Sequence, residues 1–242
     1  MAKIVGPIKH VGVLGGIINQ KDGTARIKPA SYKIKAERTL ELNAEFSRAT
    51  NGAKLIYDKL KLHLSKVRDK YAFTRLVSEM KIIVARDTVN IRGKRTILKE
   101  ELVSLKGFDF NVDMSLSSLL FAKVTTAFDR VSGDLAIHID AHSSKGAIKK
   151  PKGATHYQLY GVGLAVDFQG MGIEMNDCQS EKMRVGSTEK IAVVLPIAMS
   201  TASIHPIIAG LGIRFYQLVN GEFQLLEDKM KKSFAFVEVF VE

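Results

Sequence analysis

Tryptophan is missing from these 242 residues, cysteine occurs once and proline five times. The lone Cys178 excludes an internal disulfide and any cysteine cluster able to hold zinc or iron–sulfur. No apolar run approaches the roughly 18 to 20 residues that a membrane-crossing helix needs, so no membrane span is expected. The opening Met1-Ala-Lys-Ile-Val-Gly-Pro-Ile-Lys-His is interrupted by Gly6, Pro7, Lys9 and His10, which a secretory leader does not tolerate. It predicts synthesis in the cytoplasm, with release by some other route left open.

Chemical motifs are equally scarce. Gly12, Gly15 and Gly16 match neither the dinucleotide fingerprint nor the phosphate loop, so no cofactor is expected and flexible turns explain them better. No Ser/His/acid or Cys/His set can be assembled, and Cys178 sits in the polar stretch Asn176-Asp-Cys-Gln-Ser without an activating base. His138, Asp140 and His142 form the one cluster with metal-ligand chemistry. On a strand, residues four apart share a side, so the two histidines could converge. Turn and solvent roles account for them more simply. The chain is expected to have no catalytic, cofactor-binding or metal residues, and not to be an enzyme.

What the sequence does have is a division of charge. Residues 1–100 carry 22 Lys and Arg against 9 Asp and Glu, a net of +13, whereas residues 101–242 come to −2. Arg86, Arg92, Lys94 and Arg95 concentrate this charge where the hydrophobic period changes. Three readings are open for them: a solvated face, a contact with an acidic neighbouring subunit, or phosphate neutralisation on a nucleic acid. Aromatics for base stacking are few in this half, and no nucleic-acid-binding signature occurs.

The period divides the chain further. Leu42, Phe46, Ala49, Ala53, Ile56, Leu60, Leu64 and Val67 recur at steps of three and four, predicting helix over about 36–67 with a weak point at Asn51-Gly52. Phe73, Leu76, Val77, Met80, Ile83 and Val84 predict a second helix over about 69–85. Short strand-like runs follow at Phe108–Val112, Leu119–Val124, Leu135–Asp140, His156–Tyr160, Leu164–Phe168, Ile191–Leu195, Leu211–Leu218 and Ser233–Glu242, with Asn220-Gly221 marking a tight hairpin. The expected fold is α+β: an N-terminal extended arm (1–35), a basic helical hairpin with its connector (36–100), and an antiparallel β-sandwich (101–242).

In the first segment, Ile4, Val5, Ile8, Val11, Val13, Leu14, Ile17 and Ile18 are too few to make a core. They predict an extended arm or short hairpin that docks on another copy, giving open-ended assembly of a filament, tube or shell. The expected partners are therefore other copies of the chain, with nucleic acid as the alternative.

Several stretches also carry a resemblance: Phe46-Ser-Arg-Ala with Ala53-Lys-Leu-Ile, Asp87-Thr-Val-Asn-Ile-Arg-Gly-Lys-Arg, Leu105-Lys-Gly-Phe-Asp-Phe-Asn, Ser132-Gly-Asp-Leu-Ala-Ile-His-Ile-Asp, Pro151-Lys-Gly-Ala-Thr-His-Tyr, and Gly210-Leu-Gly-Ile-Arg-Phe-Tyr-Gln. From about residue 46 onward the chain resembles a group of uncharacterised proteins from Bacteroidota-type bacteria. The resemblance implies that helices and strands form one recurring architecture, and it brings no activity or site residues.

Overall fold

A computed structural model describes residues 2–3, 11–28, 36–65, 67–226 and 232–241. The chain divides into two units, Met1–Leu40 and Glu41–Glu242.

The first unit holds β1 (Ala2–Lys3), β2 (Gly12–Leu14), β3 (Ile17–Asn19) and β4 (Thr24–Ile27), paired antiparallel in the order β1-β4-β3-β2. Gly15 and Gly16 turn β2 into β3 with φ of 54° and 80°, a left-handed conformation that favours glycine. The next turn is fixed by Asp22, whose Oδ1 accepts from the Thr24 N–H at 2.9 Å and hydroxyl at 2.7 Å. Over residues 11–28 the hairpin form of the expectation is the one present.

The helices are α1 (Glu37–Lys59), α2 (Lys61–Leu64) and α3 (Ala72–Ala85). Asn51-Gly52 does not split α1. Gly52 is buried because Ile97, Met80 and Phe168 close over it; a Cβ there would lie 2.6 Å from Ile97 Cδ1. Packing outweighs the helical cost of glycine, and the break falls after Lys59 instead. Ala49, Ala53, Ile56 and Leu60 meet Leu76, Met80, Ile83 and Val84 in one core, as the periodicity predicts. Leu42 and Phe46, placed on the same stripe by their spacing, remain about half exposed.

After a connector and a 3₁₀ turn at Lys99–Leu105 come α4 (Leu116–Leu119), β5 (Val124–Asp129), β6 (Asp134–Ser143), α5 (Ser144–Ala147), β7 (His156–Asp167), β8 (Gly172–Gln179), β9 (Met183–Arg184), β10 (Lys190–Ala198), β11 (Ile207–Val219), β12 (Glu222–Leu225) and β13 (Ser233–Phe240). Every pairing is antiparallel. One sheet has the order β10-β6-β5. The other runs β12-β11-β7-β8, with β13 also on β11 and β9 on β7, and the sheets curl as a half-barrel. Mixed helix and antiparallel sheet is thus the observed class. Leu119, read from sequence as the start of a strand, closes α4 instead. The Ser115 hydroxyl accepts from the Ser118 N–H at 3.2 Å and caps that helical turn.

β7 and β11 are the centre of the second unit, paired from Ile207–Ala165 to Tyr216–His156. Tyr160, Val162, Leu164, Val166 and Ile208 face the helices. Leu159, Ala165, Leu211 and Ile213 face Ile137, Leu195 and Ile197 of the three-stranded sheet. Burial on both faces removes the polar alternation that normally marks a strand. Gly161 and Gly163 then make β7 look like two short runs. Their actual role is clearance: a Cβ on Gly161 would lie 3.1 Å from both Ile137 and Ile197, and one on Gly163 would lie 2.6 Å from Met199 Sδ.

Candidate functional site

Val11, Val13 and Leu14 are exposed by 61, 58 and 65%, and Ile17 and Ile27 are also exposed. Ile18 is half-buried, while the polar Asn19 is the one buried residue among 11–28. Strands of two to four residues cannot bury two apolar faces, so these side chains stay at the surface. Ile4, Val5 and Ile8 lie outside the described residues.

The basic connector is organised around Asp87, which is fully buried. Its Oδ1 accepts from the N–H groups of Val89 (2.9 Å) and Asn90 (3.0 Å). Its Oδ2 accepts from Asn90 Nδ2 and Thr96 N, each at 2.8 Å. The Asn90 side chain first, then the backbone donors, hold this carboxyl well below the usual carboxylate range. The loop so closed is bound to α1: Arg48 donates to the carbonyls of Arg95 (2.9 Å) and Gly93 (2.8 Å), and Glu45 accepts from Gly93 N at 2.7 Å. Three of the four basic candidates face acids of their own chain. Arg86 meets Glu101 at 3.2 Å, Arg92 meets Glu41 at 3.6 Å and Arg95 meets Glu45 at 4.0 Å. Lys94 is exposed.

His138 and His142 do not converge. Ile137 and Ile139 point inward, which turns His138 and Asp140 outward, and an irregularity opposite Ile191/Val193 then brings His142 back to the inside. His142 is buried, with Nδ1 at 2.9 Å from the Asp140 carbonyl and Nε2 at 3.2 Å from the Tyr157 hydroxyl. The expectation that residues four apart share a side fails here because the strand is not regular. Among the described residues no group of three or more His, Cys, Asp or Glu is arranged to hold a metal, and no helix is long and apolar enough to cross a membrane.

Sequence reading missed an aromatic and cationic row on the sheet beyond α2. Arg214 lies 4.1 Å from the Tyr160 ring centre, and His63 stacks on the same ring at 5.7 Å. Burial pushes the Tyr160 phenol up to about 12, with Arg214 opposing. Burial lowers the His63 imidazole, Asp177 opposes that, and Arg214 adds to it. Tyr216 donates to Gln158 at 2.7 Å, Gln158 donates to the Ser180 carbonyl at 2.8 Å, and Lys182 caps Tyr216 and Phe223. The period-two run of His156, Gln158 and Tyr160 was the available signal, but the partners are far away in sequence.

A seam separates β5 from β13. Two cavities follow one another along it, about 590 Å³ beside Val124–Thr126 and about 490 Å³ beside Phe128–Arg130. Phe128 and Phe240 touch across the seam, with ring centres 5.6 Å apart. No family model, no curated protein and no solved structure matches the chain.

Proposed function

We propose that the protein is a non-enzymatic structural subunit that assembles with copies of itself into a filament, tube or shell. Residues 1–35 act as an arm that docks on a neighbouring subunit, and the body is a β-sandwich. The carrying observation is the uncovered Val11, Val13, Leu14, Ile17 and Ile27 of the first unit. Exposed aliphatic side chains grouped on so small a sheet gain free energy by being covered, at roughly 25 cal/mol per Å² of apolar surface removed from water. A contact between unlike surfaces is heterologous and propagates unless its rotation closes a ring. The sandwich reading is supported by the three-stranded sheet, whose inner residues enter one core with β7 and β11.

The nucleic-acid alternative for Arg86, Arg92, Lys94 and Arg95 has weaker support, because three of these side chains already face Glu101, Glu41 and Glu45. Size-exclusion chromatography and negative-stain microscopy test the assembly. Large particles from the full chain, lost on deleting residues 1–28 or on placing charge at Val13 and Leu14, are expected. A full chain that stays the same size whether or not those residues are present would refute the proposal.

A further inference from the structure

The helices cover only part of the sheet face they pack on. Val162, Leu164 and Val166 of β7 lie beneath them, and His63 of α2, stacked on Tyr160, marks the border. Beyond it the same face runs on into solvent. Register decides what stands there. His156 is opposite Tyr216 on one side and Arg184 on the other, Gln158 is opposite Arg214, and Phe223 of β12 is opposite Leu218. Directly opposed residues share a side of a sheet, so these side chains make one surface.

The middle of that surface is aromatic. Phe223 is 41% exposed, and its ring centre lies 4.8 Å from that of His156 and 6.4 Å from that of Tyr216. Three cations surround the rings. Lys182 Nζ sits 4.8 Å from the centre of Phe223 and 5.1 Å from that of Tyr216. Arg184 stands beside His156, and Arg214 precedes Tyr216 by two residues, about 7 Å along the strand. Among the described residues none of these three cations forms a salt bridge. The connector is the reverse, with three of its four basic side chains already facing acids. Acids are placed away from the rings on this side of the sheet: Asp177 is opposite Val162, beyond Tyr160, and Glu222 pairs with Val219 and so points to the other side. Glu181 is exposed in the turn before Lys182.

We propose that this face binds single-stranded nucleic acid, with unpaired bases stacking on Phe223 and Tyr216 and phosphates held by Lys182, Arg184 and Arg214. Cations without carboxylate partners complement a phosphate chain, and exposed rings take bases of any identity. A duplex keeps its base faces stacked inside and offers the rings nothing. Lys182 is exposed, so a base takes its place over the rings while the ammonium moves to a phosphate. The surface lies wholly in the second unit and is distinct from both the arm and the basic connector.

Fluorescence anisotropy of the full chain with a labelled oligothymidine about 12 nucleotides long tests this. Binding is expected at low salt, tighter than to a duplex of the same length. Phe223→Ala should weaken it about tenfold. Far-UV circular dichroism should show the fold retained, since the ring is at the surface. Lys182→Gln and Arg184→Gln should each reduce the slope of log affinity against log salt by about 0.7. Lys94→Glu, in the connector, should change neither affinity nor slope. Ultraviolet cross-linking is an independent measurement: thymine should attach to the peptides that carry Tyr216 and Phe223. Absence of binding at low salt, equal affinity for the duplex, indifference to Phe223→Ala, or cross-links confined to residues 86–95 would each overturn the proposal. Deleting residues 1–28 removes none of these side chains, so this result and that of the assembly test are read separately.

Discussion

Tyr160 lies flat over Gly212, its register partner on the neighbouring strand. Phe234, the register partner of Gly212 on the other flanking strand, lays its ring over Gly210, and the two rings stack at 5.8 Å with 8° between their planes. The space at Gly212 is thus filled by Tyr160 and that at Gly210 by Phe234, one ring from each flanking strand. A methyl group at Gly212 would enter the Tyr160 ring. Gly212→Ala should destabilise the protein by about 1–3 kcal/mol, through overpacking of a buried ring that has no free direction. Urea unfolding followed by far-UV circular dichroism measures this, and an unshifted midpoint would contradict it.

Acid should release the connector before the body. The Asp87 carboxyl is depressed below its ordinary 3.8, so its contribution is complete above that value and is lost as pH falls toward the folded value. Amide protection of Val89, Asn90 and Thr96 should therefore decline on acidification, and Asp87→Asn should flatten the dependence. Hydrogen exchange read by NMR is the measurement. Asp109 works in the opposite sense: burial raises its carboxyl, so its contribution is present at low pH and falls as pH rises through the raised value.

The two neighbouring histidines should behave unlike each other. His142→Ala deprives the buried Tyr157 hydroxyl of its partner and should cost about 1–3 kcal/mol. His138→Ala, on the outward side of β6, should stay within about 0.5 kcal/mol. Equal losses in thermal unfolding would argue against the irregularity that separates them.

Reversing Arg86, Arg92 and Arg95 to Glu should lower the melting temperature, because each new carboxylate would face an existing one. The effect should shrink as salt is added. Lys94→Glu should leave the melting temperature unchanged. Fluorescence anisotropy with duplex DNA at low salt provides the contrasting measurement. Steeply salt-dependent binding that Lys94→Glu weakens would favour the nucleic-acid alternative.

The helices were legible because Ile56, Leu60, Met80 and Ile83 keep a period that only one face of a helix satisfies. Asn220-Gly221 was legible as well, since it forms the tight turn joining β11 to β12, with φ of 51° and 84°. β8 passed unnoticed: Gly172-Ile-Glu-Met-Asn-Asp-Cys-Gln179 is polar and largely at the surface, and it is extended because β7 supplies its pairing. The internal ion pairs of the basic connector were not legible either. Glu41 and Glu45 lie some fifty residues before the arginines they meet, and charge totals carry no information about who faces whom.

Glycines 161, 163, 210 and 212 occupy the middle of the two central strands, and neighbouring side chains fill the space above each of them. A single nucleotide change adding one carbon at any of these codons would strike the fold at its thickest point. The outward positions of β5 and β10 could accept broad replacement. Random mutagenesis under selection for soluble protein should therefore leave a four-codon cold spot, at positions that carry no side chain at all.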